Sequence, residues 1–243
     1  MTMPAAVDVA MDRDRIFDRP GWWDPRCRAF ASLRAVNDLR LSILGEWMLD
    51  WFPSGGPRRV VDLGCGGGLM AVPLARSGAR VVGLELSRTA LREGRKQRAS
   101  SAHFVCADVH APPVAPGSAD LVLLSDVLEH VAEPAVVISA AARILRPGGH
   151  LFVNTINRTL RARVLAIWLG EGLGLIPRGT HDAACFITPR ELVAMARTCG
   201  LVPDRWCGES PSLLKSLQHL AVRVRRSDSL AVGYCAGFRR GES

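Results

Sequence analysis

The chain has 243 residues, 48% of them hydrophobic, which is enough for one sizeable core and argues against intrinsic disorder. Lys and Arg number 31 against 23 Asp and Glu, a net charge of +8, and all but two of the cations, Lys96 and Lys215, are arginines. No run of about 18 apolar residues occurs, so a membrane span is excluded, and the surplus charge leaves nucleic acid and anionic membrane as the partners to weigh.

The first stretch, MTMPAAVDVAMDRDR, has no basic region followed by an apolar core, so no export signal and a cytoplasmic location are expected. The seven cysteines form no C-x-x-C pair and read as reduced thiols. Residues 1–57 form a helical extension rich in Trp and Phe, with apolar residues recurring every three or four positions over Val36–Trp51. From Arg58 short apolar runs (RRVVDL, ARVVGLEL, AHFVCA, ADLVLLS, HLFVNT) alternate with helical segments, the pattern of a parallel sheet covered by helices. Residues 156–188 break that alternation as an insertion. A helix over Pro189–Thr198 and strands at Leu201–Cys207 and Leu230–Phe238 complete a single domain, 1–243, whose cofactor-binding core is 58–155.

VVDLGCGGG places Asp62 at the end of a buried strand and Gly64, Gly66, Gly67 and Gly68 in the turn that follows. Glycine lets the backbone pass close to a ligand and adopt positive φ. A dinucleotide turn needs Gly or Ala where Leu69 stands, so NAD is disfavoured. Glu85 ends the next strand, where a carboxylate can accept both hydrogen bonds of a ribose diol. Asp108 follows the third strand, where an acid can receive an adenine amino hydrogen. Each has a plainer reading: a surface acid for Glu85, a helix cap for Asp108.

This combination resembles the class I S-adenosylmethionine (SAM) dependent methyltransferases. Further strings narrow the resemblance: WWDP, VNDLR, DVLEHV, LRPGG, NTINRTLRARVLAI and PRGTHDAACFITPREL are similar to the ubiquinone-biosynthesis O-methyltransferases. The likeness implies an α/β fold with a Rossmann-like, seven-stranded, mostly parallel sheet. It also implies SAM held by Arg40, Asp62, Gly64, Gly66, Glu85, Asp108 and Ser125, with Arg40 as a fork donor to the methionine carboxylate. The implied substrate is a polyprenylated catechol or quinol methylated on a phenolic oxygen. The chain departs from the family pattern at Asp38, where Pro is common, at Cys185, where a basic residue is common, and after Gly208, where SPSLLKSLQHL replaces a Tyr-Asn-Pro turn.

A phenol with pKa about 10 is about three units from ionising at pH 7, a cost of about 4 kcal/mol that the site must offset. Asp126, Glu129 and His130 follow the fourth strand at i, i+3 and i+4, which on a helix is one face. They are candidate ligands of a divalent cation such as Mg²⁺ or Zn²⁺ that acidifies the phenol. In a second reading His130 is a general base without metal. In a third, Ser125 or Asp126 caps the helix and Glu129 and His130 only shape the pocket. His181 in GTHD is a second imidazole candidate, or part of a surface turn.

The stretch Val164–Pro177 is too short to span a bilayer and is flanked by Arg158, Arg161, Arg163 and Arg178 against Glu171. An apolar body with a basic rim suits an anionic membrane surface contacted through residues 158–178, and a buried hairpin under a lid is the alternative. Larger basic clusters lie in 58–110 and 190–243, but no aromatic and basic residues interleave as a nucleic-acid stacking platform requires. Two other functions fit the motifs less fully: an O-methyltransferase for another hydroxylated aromatic, and a cofactor-binding regulatory homologue.

Overall fold

The computed structural model describes residues 17–242; the stretch read for an export signal lies outside the described residues. After helix α1 (Ala31–Trp51) the chain alternates: β1 (Arg59–Leu63), α2 (Ala71–Arg76), β2 (Arg80–Glu85), α3 (Arg88–Lys96), β3 (Ala102–Cys106), β4 (Ala119–Ser125), α4 (Pro134–Ile144) and β5 (Leu145–Ile156). The insertion follows as α5 (Leu160–Arg163), running into a wider π-helical stretch Val164–Glu171. Then come α6 (Pro189–Thr198), β6 (Leu201–Pro211), α7 (Leu213–His219), β7 (Val224–Ser227) and β8 (Gly233–Arg240).

One sheet holds all eight strands in the order β3-β2-β1-β4-β5-β8-β6-β7, the first five parallel and the remainder antiparallel. The strand beyond the expected seven is β7, VRRS, at the sheet edge. Its exposed Arg225 and Arg226 carry no apolar alternation, so a strand was not legible there. The middle of a central strand such as β4, Leu121–Leu124, is apolar because both faces are covered. Leu121 and Leu123 pack toward α1 with Phe152, Trp47 and Leu44, whereas Val122 and Leu124 pack on the opposite face with Ile138, Leu192 and Phe238. Helix starts follow their capping residues: Ser87 Oγ accepts from Ala90 N at α3, and Thr188 and Glu191 form a capping box at α6.

Strand order reverses between β1 and β4, so their carboxyl ends open a crevice, the usual ligand position in such sheets. Among the described residues no helix is long and apolar enough to cross a membrane. At the other end of the sheet Asp120 ties β1, β4 and β5 together. Its carboxylate accepts from Arg58 N at 3.0 Å, Arg59 N at 2.8 Å and Arg146 Nε at 2.7 Å.

Burial alone would raise the Asp120 carboxyl, but bonds from Arg146 and Arg59 outweigh it and hold the group below its ordinary value. A depressed native pKa contributes stability that is full above the unfolded-state value and is lost as pH falls through the folded one. Asp120→Ala is expected to lower the unfolding free energy by about 1–3 kcal/mol at pH 7, because buried donors lose their acceptor. In urea titrations the gap from wild type is expected to narrow as the pH falls below about 4, where the unfolded chain takes up the proton first, and to narrow further as the pH falls through the lower folded-state value.

Candidate active site

At the crevice lies a cavity of about 720 Å³ whose floor is the glycine turn. Gly64, Gly66 and Gly68 have φ of +72°, +50° and +80°, which L side chains rarely adopt. A Cβ at Gly64 would come within 2.6 Å of Val127, and one at Gly66 would strike the Trp22 ring. Trp22 lies across the turn, stacked on Phe30 at 4.4 Å between ring centroids, and Trp23 Nε1 donates to the Gly67 carbonyl at 2.8 Å. The N-terminal aromatics are thus the roof of the cavity.

Asp62 sits beneath the turn, 1% exposed. Burial and the neighbouring charge of Glu85 raise its pKa to about 7, and its Oδ2 has no hydrogen-bond partner among the described residues. Glu85 braces the same turn, accepting from Gly66 N at 3.1 Å and Ser87 N at 2.8 Å, and it lines the cavity. The side-chain-free turn, the orphaned Asp62 oxygen and a second orphan, Trp22 Nε1, together fit a polar ligand with an amino-acid end and a ribose, as SAM has. Asp108 is not brought to the cavity. Its Oδ1 accepts from His110 N at 2.9 Å and pairs with His110 Nδ1 at 2.7 Å, while the next residue, Val109, forms the wall.

The expected helical face at Asp126, Glu129 and His130 does not form. Asp126 takes a left-handed conformation (φ +53°), and only a 3-10 turn, Leu128–His130, follows, so the three do not share an α-helical face. Asp126 Oδ1 accepts from Asn154 Nδ2 at 3.0 Å, and its other oxygen meets Arg40 Nη1. Glu129 points into the core, 3% exposed. Its Oε2 accepts from Thr155 Oγ1 at 2.8 Å, and burial followed by the charge of Asp126 raises its pKa to about 8. His130 faces the cavity, edge-on to Phe17 at 5.4 Å.

As a donor set, one Asp, one Glu and one His would suit a divalent cation. Here Asp126 is engaged by a cation, Glu129 is held neutral, and among the described residues no group of three His, Cys, Asp or Glu is placed to hold an ion. The residues as arranged do not fit a metal. Ser125 lines the cavity and donates from Oγ to Asn154 Oδ1 at 2.6 Å, so it caps no helix.

Arg40 is 5% exposed and its fork is engaged. Nε and Nη2 donate to Glu209 at 2.9 and 3.1 Å, and Nη1 reaches Asp126. The guanidinium fixes two protein carboxylates, and Arg40 also lines the cavity in which contact with the methionine carboxylate was expected. Sequence reasoning missed Glu209 and Asn154. β6 carries two acids, Asp204 and Glu209, and its sequence alone does not mark the second as the buried one.

The insertion is two-sided. Leu165, Ala166, Ile176 and Pro177 line the cavity, whereas Leu160, Val164 and Leu173 are exposed. Glu171, counted at first as a charge on the surface stretch, is buried at 6% exposure and accepts from Gly179 N at 2.7 Å and His181 N at 2.8 Å.

Arg40→Ala leaves Glu209 and Asp126 without their cation. Breaking a buried ion pair from one side costs about 3–5 kcal/mol, so urea unfolding of this variant is expected to show a loss of that size.

Residues 61–153 match the family model described as a methyltransferase domain. The ubiquinone biosynthesis O-methyltransferase of Ralstonia nicotianae is 39% identical over 229 residues, covering 91% of this chain and 90% of that one. The protein of that name from Methylococcus capsulatus is 37% identical, covering 90% of each. Among solved structures, magnesium protoporphyrin IX methyltransferase from Synechocystis with bound SAM superposes with a TM-score of 0.65 at 18% identity, over 98% of this chain and 100% of that one. A SAM-dependent methyltransferase from Thermotoga maritima also gives 0.65, at 19% identity over 93% and 99%. The fold, the glycine turn and near-full-length similarity at this identity agree: the chain belongs to the ubiquinone biosynthesis O-methyltransferase family of SAM-dependent enzymes.

Proposed function

We propose that the protein transfers a methyl group from SAM to a phenolic hydroxyl of a polyprenylated catechol or quinol in ubiquinone biosynthesis. The observation that carries this reading is that one cavity joins the glycine turn, the imidazole of His130 and the apolar inner side of the insertion. When bound, SAM supplies an electrophilic methyl on a sulfonium.

The chain's own groups do the rest. Glu85 holds the ribose diol, the turn from Gly64 to Gly66 accepts the amino-acid end above Asp62, and Ser125 borders the same space. Leu86 and Val109 flank the adenine, the task first assigned to Asp108. His130, the one imidazole of its motif, reaches the cavity and takes the phenol proton as general base. Glu129, already carrying a proton, cannot take it. Asp126 contributes a fixed negative charge at the same cavity, which favours the imidazolium that results.

Incubation with methyl-labelled SAM and a demethylubiquinol analogue is expected to place the label on the phenolic oxygen. His130→Asn is expected to lower kcat by about 10²–10⁴-fold, the range for a lost general base, with the affinity for SAM unchanged. Label in other hydroxylated aromatics but not in the quinol selects a different substrate class. That outcome would implicate the segment after Gly208, which brings Pro211 and Val224 to the cavity. Tight SAM binding without any transfer selects the regulatory homologue.

A membrane-borne tail also accounts for the outer side of the insertion, and we read it as contacting an anionic leaflet from the cytoplasmic side. Two observations support this. Arg161, Arg163 and Arg178 stand beside exposed Leu160, Val164 and Leu173. Helix α7 presents Leu213, Leu214 and Leu217, with Leu220 just past its end, each more than half exposed, around Lys215. Ser32 links the two elements, donating to Leu175 O at 2.6 Å and accepting from Val222 N at 2.8 Å. Each cation near an anionic surface is worth about 1 kcal/mol. Sedimentation with anionic liposomes at low salt is expected to carry the protein down, and Leu213→Ser with Leu217→Ser to release part of it. Equal binding to neutral and anionic vesicles, or none to either, would remove this reading.

A further inference from the structure

Chemistry at a single phenol needs one imidazole at the cavity, yet the cavity has two. His181 is contributed by the insertion, and its ring lies 6.3 Å from that of His130, centroid to centroid. It is no surface turn: the side chain is 11% exposed, and the Phe186 ring meets it edge-on at 6.2 Å.

Its orientation is set from behind. Nδ1 lies 3.1 Å from Glu171 Oε1, the same carboxylate that gathers the backbone N–H groups of Gly179 and His181. Burial alone would raise the Glu171 carboxyl, but the bond from the His181 ring and the two backbone donors hold it below its ordinary value, so it is ionised at neutral pH. An ionised carboxylate only accepts. In the neutral imidazole Nδ1 therefore carries the hydrogen, and Nε2 is the lone-pair acceptor. Among the described residues no hydrogen bond satisfies Nε2, and apolar Ile156, Leu165 and Ile176 line the same cavity. An oriented acceptor among apolar walls calls for a donor from the ligand.

We propose that His181, held by Glu171, accepts a hydrogen bond from the hydroxyl adjacent to the one that is methylated, so that the site selects aromatic rings bearing two vicinal hydroxyls. This rests on the phenol-methylating reading above and adds to it a specificity residue that acts through direct contact with substrate. Each imidazole takes one of the two vicinal oxygens through a hydrogen bond of about 2.8 Å, an arrangement open to rings whose centroids lie 6.3 Å apart. Glu171 is a positioning residue, since it touches His181 and not the ring. A site built around a substrate hydroxyl discriminates strongly against the analogue that lacks it, because its buried polar group is then left unpaired.

The test compares a prenylated catechol with its monohydroxy analogue, in which hydrogen replaces the adjacent hydroxyl. Wild type is expected to favour the catechol by at least about 100-fold in kcat/KM. His181→Phe, which keeps a ring but no acceptor, is expected to bring that preference close to unity with SAM affinity unchanged. Glu171→Gln is expected to reduce the preference about tenfold, since the ring keeps its place but loses a fixed tautomer. The same preference is read without turnover as the ratio of dissociation constants for the two ligands, followed by tryptophan fluorescence with S-adenosylhomocysteine bound. An equal loss on both substrates in His181→Phe, or an intact preference, overturns the proposal. If wild type methylates neither ligand, the functional reading fails, while the binding ratio still decides the role of His181.

Discussion

A single guanidinium holds the reaction end of this molecule in register. Arg40 arrives from α1 and is shared between Glu209 on β6 and Asp126 beyond β4. Removing such charges from water costs several kcal/mol per ion, and the geometry must repay it through close, multiply bonded contacts. Cys235 adds to the arrangement by donating from Sγ to Glu209 at 3.4 Å. Three elements distant in sequence are thereby fixed relative to one another.

The consequences run along the DVLEHV segment. With Asp126 anchored to Arg40 and to Asn154, its backbone is held at positive φ, and the chain turns so tightly that Glu129 is driven inward and His130 outward. A carboxyl buried beside another carboxylate keeps its proton. The same short motif therefore yields a carboxylate paired with Arg40, a buried acid that keeps its proton and an imidazole at the cavity. Opposite it, the insertion repeats the device on a smaller scale, with Glu171 organising its own loop and presenting His181.

The preference for arginine over lysine has a structural account. Several arginines spend their donors on backbone carbonyls: Arg34 on Trp22 O at 3.1 Å and Cys27 O at 2.9 Å, Arg95 on Phe104 O at 2.6 Å, and Arg240 on Ala142 O at 2.9 Å. Others close gaps between elements, as Arg226 does by gripping both oxygens of Glu46 at 2.5 Å. A planar fork with five donors serves such positions, and an ammonium does not. Much of the basic surplus in 58–110 and 190–243 thus ties loops and strand ends to the core.

The fold class, the helix over Pro189–Thr198, the glycine turn and the place of Glu85 at the end of the next strand were legible in the sequence, because each rests on local periodicity or on a residue type that its own turn requires. The edge strand β7 was not, since its pairing comes from β6 and its own residues show no pattern. Nor were the fates of Arg40, Asp108 and Glu129. Sequence names the charges, but whether a charge faces ligand, partner or core depends on what the fold sets opposite it: Glu209 lies 169 positions from Arg40 and is invisible from its neighbourhood. Residue spacing suggested that Asp126, Glu129 and His130 share a helical face; a left-handed residue, stabilised by contacts with Arg40 and Asn154, removed that face. Local chemistry determined which groups the site would own, and long-range electrostatics decided where each one points and which of them carries a proton.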